Sequence, residues 1–201
     1  MPSSQDAGRL SMDVRPYISG YVDGEGCFTI SFSPRRKLRC GWEVRPSFSV
    51  SQNADRAEVL LLMQEYFECG SIRPDRSDRT LKYEVRNIDH LIAKVIPHFE
   101  RYPLLSSKGK DFMRFASVCG LVRAKAHLNR AGLREIVELA MGMNASGKRR
   151  FTVEQLLGTS EPEVIVSATS NGGSTRSSDP HEWRNELDAV STIGSVKLES
   201  R

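Results

Sequence analysis

The most constraining feature of this chain is a change of period around Gly24-Glu25-Gly26. Before it, Ile18, Tyr21 and Val22 recur at helical spacing. After it, Phe28, Ile30 and Phe32 alternate with Thr29, Ser31 and Ser33, as in a half-buried strand. A helix therefore stops where a strand is about to start, and Glu25 stands at the junction. Pro34-Arg35-Arg36-Lys37 breaks the strand. A second alternation then puts Val44, Phe48 and Val50 on one face and Glu43, Arg45, Ser47, Ser49 and Ser51 on the other, which predicts a hairpin. Further along, the pattern predicts a helix over 55–67 ended by Gly70, a hairpin over 71–76 and 80–86, and helices over 89–100, 107–123 and 130–143.

The order α-β-β-α-β-β-α with two more helices predicts an α+β fold. A four-stranded antiparallel sheet carries helices on one face and leaves the other face polar for a partner. Of the 201 residues, 39% are hydrophobic and 27% charged, enough for one packed core. No apolar run approaches the roughly 18 residues of a membrane span, and 1–10 lack the apolar stretch of a signal peptide, so no membrane partner is expected. Cys27, Cys40, Cys69 and Cys119 lack zinc-site spacing and are expected as free thiols.

The net charge of +4 is unevenly spread: residues 151–201 hold four basic against eight acidic side chains, and residues 1–150 hold 25 against 17. From Thr159 onward the chain turns rich in Ser, Thr and Gly without apolar periodicity. The expected organisation is an extension over 1–12, a domain over 13–157 and a flexible acidic tail over 158–201. Removing 159–201 is expected to raise non-specific affinity for an anionic partner at low salt.

Gly20 and Gly24 stand four apart on one helical face, where missing side chains let another helix backbone approach closely. With no internal repeat in the sequence, a second copy is the natural partner. Glu25 falls at the negative end of the helix dipole, where a carboxylate is disfavoured. Two such ends brought together repel unless cations intervene, which suits Mg²⁺ held by a few protein oxygens, water and phosphate. The plainer alternative is a helix stop with Glu25 solvated. Asp23 points about 200° round the helix from Glu25, and is expected to bond backbone groups near the seam.

The stretch Ile18-Ser19-Gly20-Tyr21-Val22-Asp23-Gly24-Glu25-Gly26 resembles the signature of the LAGLIDADG homing endonucleases. Ser51-Gln52-Asn53-Ala54-Asp55-Arg56 opening a helix, and Tyr102-Pro103-Leu104 ahead of Lys108, extend the likeness over 14–143. One motif copy implies the homodimeric branch, with Ile18, Gly20, Tyr21, Asp23 and Gly24 at the dimer interface. The resemblance also implies a metal held at Glu25 and Gly24, Mg²⁺ or another divalent cation such as Mn²⁺, and no small-molecule cofactor. It gives Glu25, Gln52, Arg56 and Lys108 catalytic roles: Gln52 orienting a water, Arg56 and Lys108 offsetting charge at the scissile phosphate. The implied activity is cleavage of both strands of a long pseudo-palindromic DNA site. A non-catalytic DNA-binding regulator or an RNA maturase on the same fold is the alternative.

The polar sheet face supplies a candidate DNA reader: Thr29, Ser31, Ser33, Glu43, Arg45, Ser47, Ser49 and Ser51, with Arg35, Arg36, Lys37, Arg39, Arg73, Arg76, Arg79 and Lys82 at its edges and turns. Arg bonds guanine, Glu accepts from cytosine, and turn cations hold phosphates. A strand of about eight residues, at about 3.3 Å each, spans some eight base pairs per copy. Arg123, Lys125, His127, Arg130 and Arg134, followed by Lys148, Arg149 and Arg150, serve either as further phosphate contacts or as a basic buttress.

Overall fold

The computed structural model describes residues 13–75, 80–144, 147 and 149–158. Helix α1 (Val14–Glu25) is followed without an intervening residue by strand β1 (Gly26–Pro34). Asp13 caps α1 by accepting from the Arg15 N–H. The abrupt turn into β1 depends on Gly26, because a Cβ there would lie 2.5 Å from Val22 Cγ1 and 2.8 Å from the Val22 carbonyl oxygen. Strand β2 (Trp42–Asn53) returns along β1, and one 3-10 turn (Ala54–Arg56) leads into α2 (Glu58–Phe67). That helix starts later than its apolar pattern predicts, since neither Asn53 nor Ala57 offers a side-chain cap. Gly70, at φ 82°, then admits the turn into β3 (Ser71–Pro74), where a Cβ would strike the Tyr83 ring and the Glu84 carbonyl.

Strand β4 (Thr80–Val85) completes an antiparallel sheet of order β1-β2-β4-β3. Pro46 interrupts no β4 pairing, because β4 covers β2 only from Phe48 to Asn53. The next rod comprises α3 (Ile88–His90), a π-helical stretch (Leu91–Val95) and α4 (Ile96–Arg101). The wide π turn ends beside Pro97, which has no N–H to give the regular ladder. Helices α5 (Lys108–Arg123) and α6 (Arg130–Met141) follow, joined by a 3-10 turn over Ala126–Leu128. A short α7 (Val153–Leu157), not predicted from periodicity, is held by a Thr152–Gln155 capping box and by buried Leu156. The predicted tail, apart from Gly158, and the extension over 1–12 lie outside the described residues.

One face of the sheet is apolar and packed. Phe28 is its centre, its ring 5.2–5.5 Å from those of Phe48, Phe99, Phe112 and Phe115. Rings at these distances add to area burial worth about 2 kcal/mol each. The opposite face carries the alternate residues of the same strands and is predominantly polar.

Candidate functional site

Helix α1 divides its residues sharply. Ile18, Ser19 and Val22 turn into the core, and Ile18 is 0% exposed. The expectation that Ile18 lines a dimer interface is therefore corrected: as the first apolar residue of the inner stripe it is consumed by the chain's own core. Ser19 Oγ donates to the Tyr102 carbonyl at 2.7 Å and lies 3.2 Å from His98 Nε2. With its proton committed, Ser19 accepts from Nε2–H, which leaves Nδ1 to accept from the Tyr66 hydroxyl at 3.0 Å. Burial drives the His98 imidazole down to about 4, so the ring is neutral and ties α1 to α2 and α4.

The outer face of α1 is open. A Cβ placed at Gly20 or Gly24 meets no atom within 4 Å. Beside Gly20 lies a cavity of about 300 Å³ lined by Pro16, Asp23, Tyr102, Pro103 and Leu105, and Leu105 itself is 92% exposed. Tyr21 is half-buried, its ring packing against the core while its hydroxyl accepts from Gln52 Nε2. Asp23 is used within its own chain. Its carboxylate accepts from the Leu105 and Ser106 N–H groups at 3.0 and 2.9 Å and from the Ser106 hydroxyl. Burial pushes this carboxyl up, but those bonds from Ser106 and Leu105, with the Lys108 charge, outweigh it and hold Asp23 below its ordinary value.

The C-terminal end of α1 brings together two of the four predicted catalytic residues, Glu25 and Lys108. Glu25 is the last helical residue and is exposed. Lys108, at the start of α5, reaches back so that Nζ donates to the Val22 carbonyl at 2.9 Å and the Gly24 carbonyl at 3.1 Å. The Asp23–Ser106 bonds fix the loop that delivers this lysine, and the Ser106 hydroxyl also accepts from the Lys108 N–H. A cation on the last carbonyls compensates the helix dipole, which would otherwise oppose Glu25. Gln52 lies at the end of β2, with Oε1 accepting from the Asn53 N–H and Nε2 held by Tyr21. Arg56, in the 3-10 turn, is exposed and forms no ion pair with Asp55 or Glu58.

The donors fit one half of a hard-cation site. Glu25 offers two oxygens, and Gly24 retains one carbonyl lone pair beside its bond to Lys108. Among the described residues no group of three His, Cys, Asp or Glu side chains converges, and with Asp23 held by Leu105 and Ser106 the end of α1 offers the Glu25 carboxylate.

On the polar sheet face, charges are organised in two clusters. Glu43 receives Arg35 and Arg45, each at 2.7 Å, and the Arg45 bond foremost holds its carboxyl low. Glu84 receives Arg73 at 2.7 Å and Arg86 at 3.0 Å, with Lys82 at 3.9 Å. Thr29, Ser31, Ser33, Ser47 and Ser51 retain partial or full exposure. Ser49 does not: it stands on the expected face but only 6% exposed, sunk between Cys27 of β1 and Glu84 of β4, so its role as a DNA contact is corrected to a spacer. Arg36, Lys37 and Arg39 are exposed in the β1–β2 turn, whereas Arg76 and Arg79 lie outside the described residues. Sequence reasoning missed Glu84 and Arg86, although Lys82, Glu84 and Arg86 follow the strand's period of two.

Four arginines of the basic stretch after α4 make contacts within the chain. Arg123 pairs with Asp89, Arg130 donates to the Leu157 carbonyl, and Arg149 caps α6 through the carbonyls of Ala140, Met141 and Met143. Arg150 lies over the Phe151 ring, which packs on Trp42.

Known proteins share this arrangement. "Probable intron-encoded endonuclease 3" of Neurospora crassa is 36% identical over 136 residues, which is 67% of this chain but 25% of that protein. The chain thus spans about a quarter of that relative. The homing endonuclease I-ApeII of Aeropyrum pernix is 30% identical over 146 residues, covering 70% of this chain and 86% of I-ApeII. Among solved structures, I-SmaMI bound to its uncleaved DNA target in the presence of calcium ions superposes with a TM-score of 0.64 at 27% identity, over 69% of this chain and 47% of that one. The profile described as LAGLIDADG endonuclease matches residues 18–119, from the first residue of the α1 motif to α5. With half the chain matched and the signature helix, sheet and lysine in place, the protein belongs to the LAGLIDADG endonuclease family.

Proposed function

We infer that the protein is a homodimeric homing endonuclease that cuts both strands of a long, pseudo-palindromic duplex site with a divalent cation, Mg²⁺ or Mn²⁺. The observation that carries the reading is the convergence of exposed Glu25 and half-buried Lys108 at the end of α1, next to a strand of the polar sheet. A duplex lying along that face brings a phosphate to that end.

Two copies meeting through the open Gly20–Gly24 face place two Glu25 carboxylates together. The carboxylates and the free lone pairs of the Gly24 carbonyls would hold the cation, which supplies Lewis-acid polarisation of the phosphate and acidification of water. Lys108 offsets negative charge that grows on the phosphate oxygens during attack. Gln52, clamped by Tyr21 and Asn53, keeps one Oε1 lone pair to orient a water. Arg56, exposed and without an ion pair among the described residues, contributes a second positive charge facing the duplex. Serines, a threonine and arginines on the sheet read base edges, while Arg36, Lys37 and Arg39 hold phosphates.

Selection of cleaved sites from a randomised duplex library with Mg²⁺ tests activity, symmetry and specificity together. The expected product is a population of palindrome-like sites about two helical turns long. Recovery of no cleaved site with Mg²⁺ or Mn²⁺ overturns the nuclease reading.

A further inference from the structure

The Glu84 cluster is a charged assembly that the cleavage chemistry does not use. Glu84 lies on the polar face of β4, its side chain only 6% exposed, while those of Arg73, Arg86 and Lys82 are 50%, 62% and 27% exposed. Its neighbours across the sheet are Ser49 on β2 and Ser71 on β3, both too short to fill the space above it. The vacancy is filled by the three cations leaning in. Arg86 engages the carboxylate side-on, Nε at 3.0 Å and Nη2 at 3.1 Å, and Arg73 donates Nη2 at 2.7 Å.

This geometry leaves most of the arginine donors unspent. Each guanidinium has five N–H groups; among the described residues Arg73 and Arg86 each give one to Glu84, with Arg86 Nε beside the other carboxylate oxygen as an ion pair. Three cations face Glu84 and one further carboxylate, Asp75, borders the same recess, so the cluster keeps a net positive charge that attracts a polyanion. A long arginine on a strand normally samples many rotamers, and freezing it costs conformational entropy at the moment of binding. A buried carboxylate that has already chosen the rotamer removes that cost and fixes which base edge the remaining fork can reach. Glu84 is too buried to contact a base itself, unlike Glu43, whose side chain is 25% exposed.

We propose that Glu84 is a positioning residue for DNA readout, aiming Arg73 and Arg86 at base edges and thereby setting sequence preference on the β3–β4 half of the sheet. The proposal rests on the DNA-binding part of the function above.

The test is selection of bound duplexes from a randomised library, with the salt dependence of binding measured beside it, for the wild type, Glu84→Gln, Arg73→Ala and the double variant. Glu84→Gln keeps size and removes charge. It is expected to flatten preference about ten-fold at the positions that Arg73→Ala also flattens, and to steepen the salt dependence by about one phosphate contact. In the double variant the two losses should not add. Glu84→Asp, which keeps the charge on a shorter arm, should alter the preferred bases while leaving the salt dependence unchanged. It also serves as the decisive variant should Glu84→Gln fail to fold. An unchanged preference profile in the folded variant overturns the proposal, as does strict additivity with Arg73→Ala. Wild-type protein that selects no sequence overturns the DNA-reading function and this proposal together, whereas a selective wild type with an equally selective Glu84 variant overturns only the proposal.

Discussion

The two faces of helix α1 use adjacent residues for opposite purposes. The inner face buries Ile18 and Val22 and satisfies Ser19 and His98 within the chain, so its demands are met by one copy. The outer face presents Gly20 and Gly24 to empty space and ends on an exposed carboxylate. Helix propensity disfavours both glycines, and the dipole would disfavour Glu25 but for the Lys108 charge on the last carbonyls. A rule broken by neighbouring residues with no gain inside the fold marks a surface built for something outside it.

The largest expected effect comes from setting the two faces against each other. Glu25→Gln should lower cleavage of a plasmid bearing the selected site by about 10³-fold, with binding by gel shift and the melting temperature nearly unchanged. Ile18→Ala should instead cost about 3 kcal/mol of stability, lowering binding, cleavage and melting temperature in step. A Glu25→Gln protein that cuts at the normal rate breaks the assignment of the helix end to catalysis.

Much of this division was legible in the sequence. The switch of period at Gly24-Glu25-Gly26 gave the helix-to-strand junction, because burial imposes period on apolar residues regardless of partner. Burial also misled: Ile18 belongs to the motif, but only the full set of contacts shows which side of the helix faces its own core. Ser49 has the right alternation, yet depth on a face depends on the size of its cross-strand neighbours, which strand order β1-β2-β4-β3 determines. The Ser19–His98–Tyr66 chain joins residues 79 and 32 positions apart and leaves no local signal. Lys108 was found by its motif, but its grip on the α1 carbonyls required the Asp23–Ser106 bonds that shape its loop.

The inner face should reveal itself through pH. Folded His98 titrates near 4, against 6.5 for the free side chain. Between those values the unfolded chain binds a proton that the folded chain refuses, so this contribution to stability is present above about pH 6.5 and is lost as pH falls towards 4. The shift corresponds to about 3 kcal/mol at most. Denaturant titrations at pH 7, 5.5 and 4.5 should show the loss. His98→Gln, less stable at pH 7 because the Ser19 and Tyr66 bonds are disturbed, should show a flatter profile across that window. An equally steep profile in the variant would assign the acid sensitivity to other groups.

The smallest effect bears on the outer face. Adding a methyl at Gly20 meets nothing within the chain, and alanine in a helix interior is favoured over glycine by about 1 kcal/mol. Gly20→Ala should therefore raise the melting temperature of the dilute, dissociated protein by a few degrees. In a dimer packed through this face the same methyl intrudes between two helix backbones, so the gain should vanish or reverse as concentration rises, and sedimentation should show weaker association. Gly26→Ala is the internal control: its methyl collides with Val22 of the same chain, so it should destabilise at every concentration. A Gly20→Ala gain that is the same in dilute and concentrated protein would mean that no second copy approaches α1, and that the emptiness around Gly20 serves something other than a dimer seam.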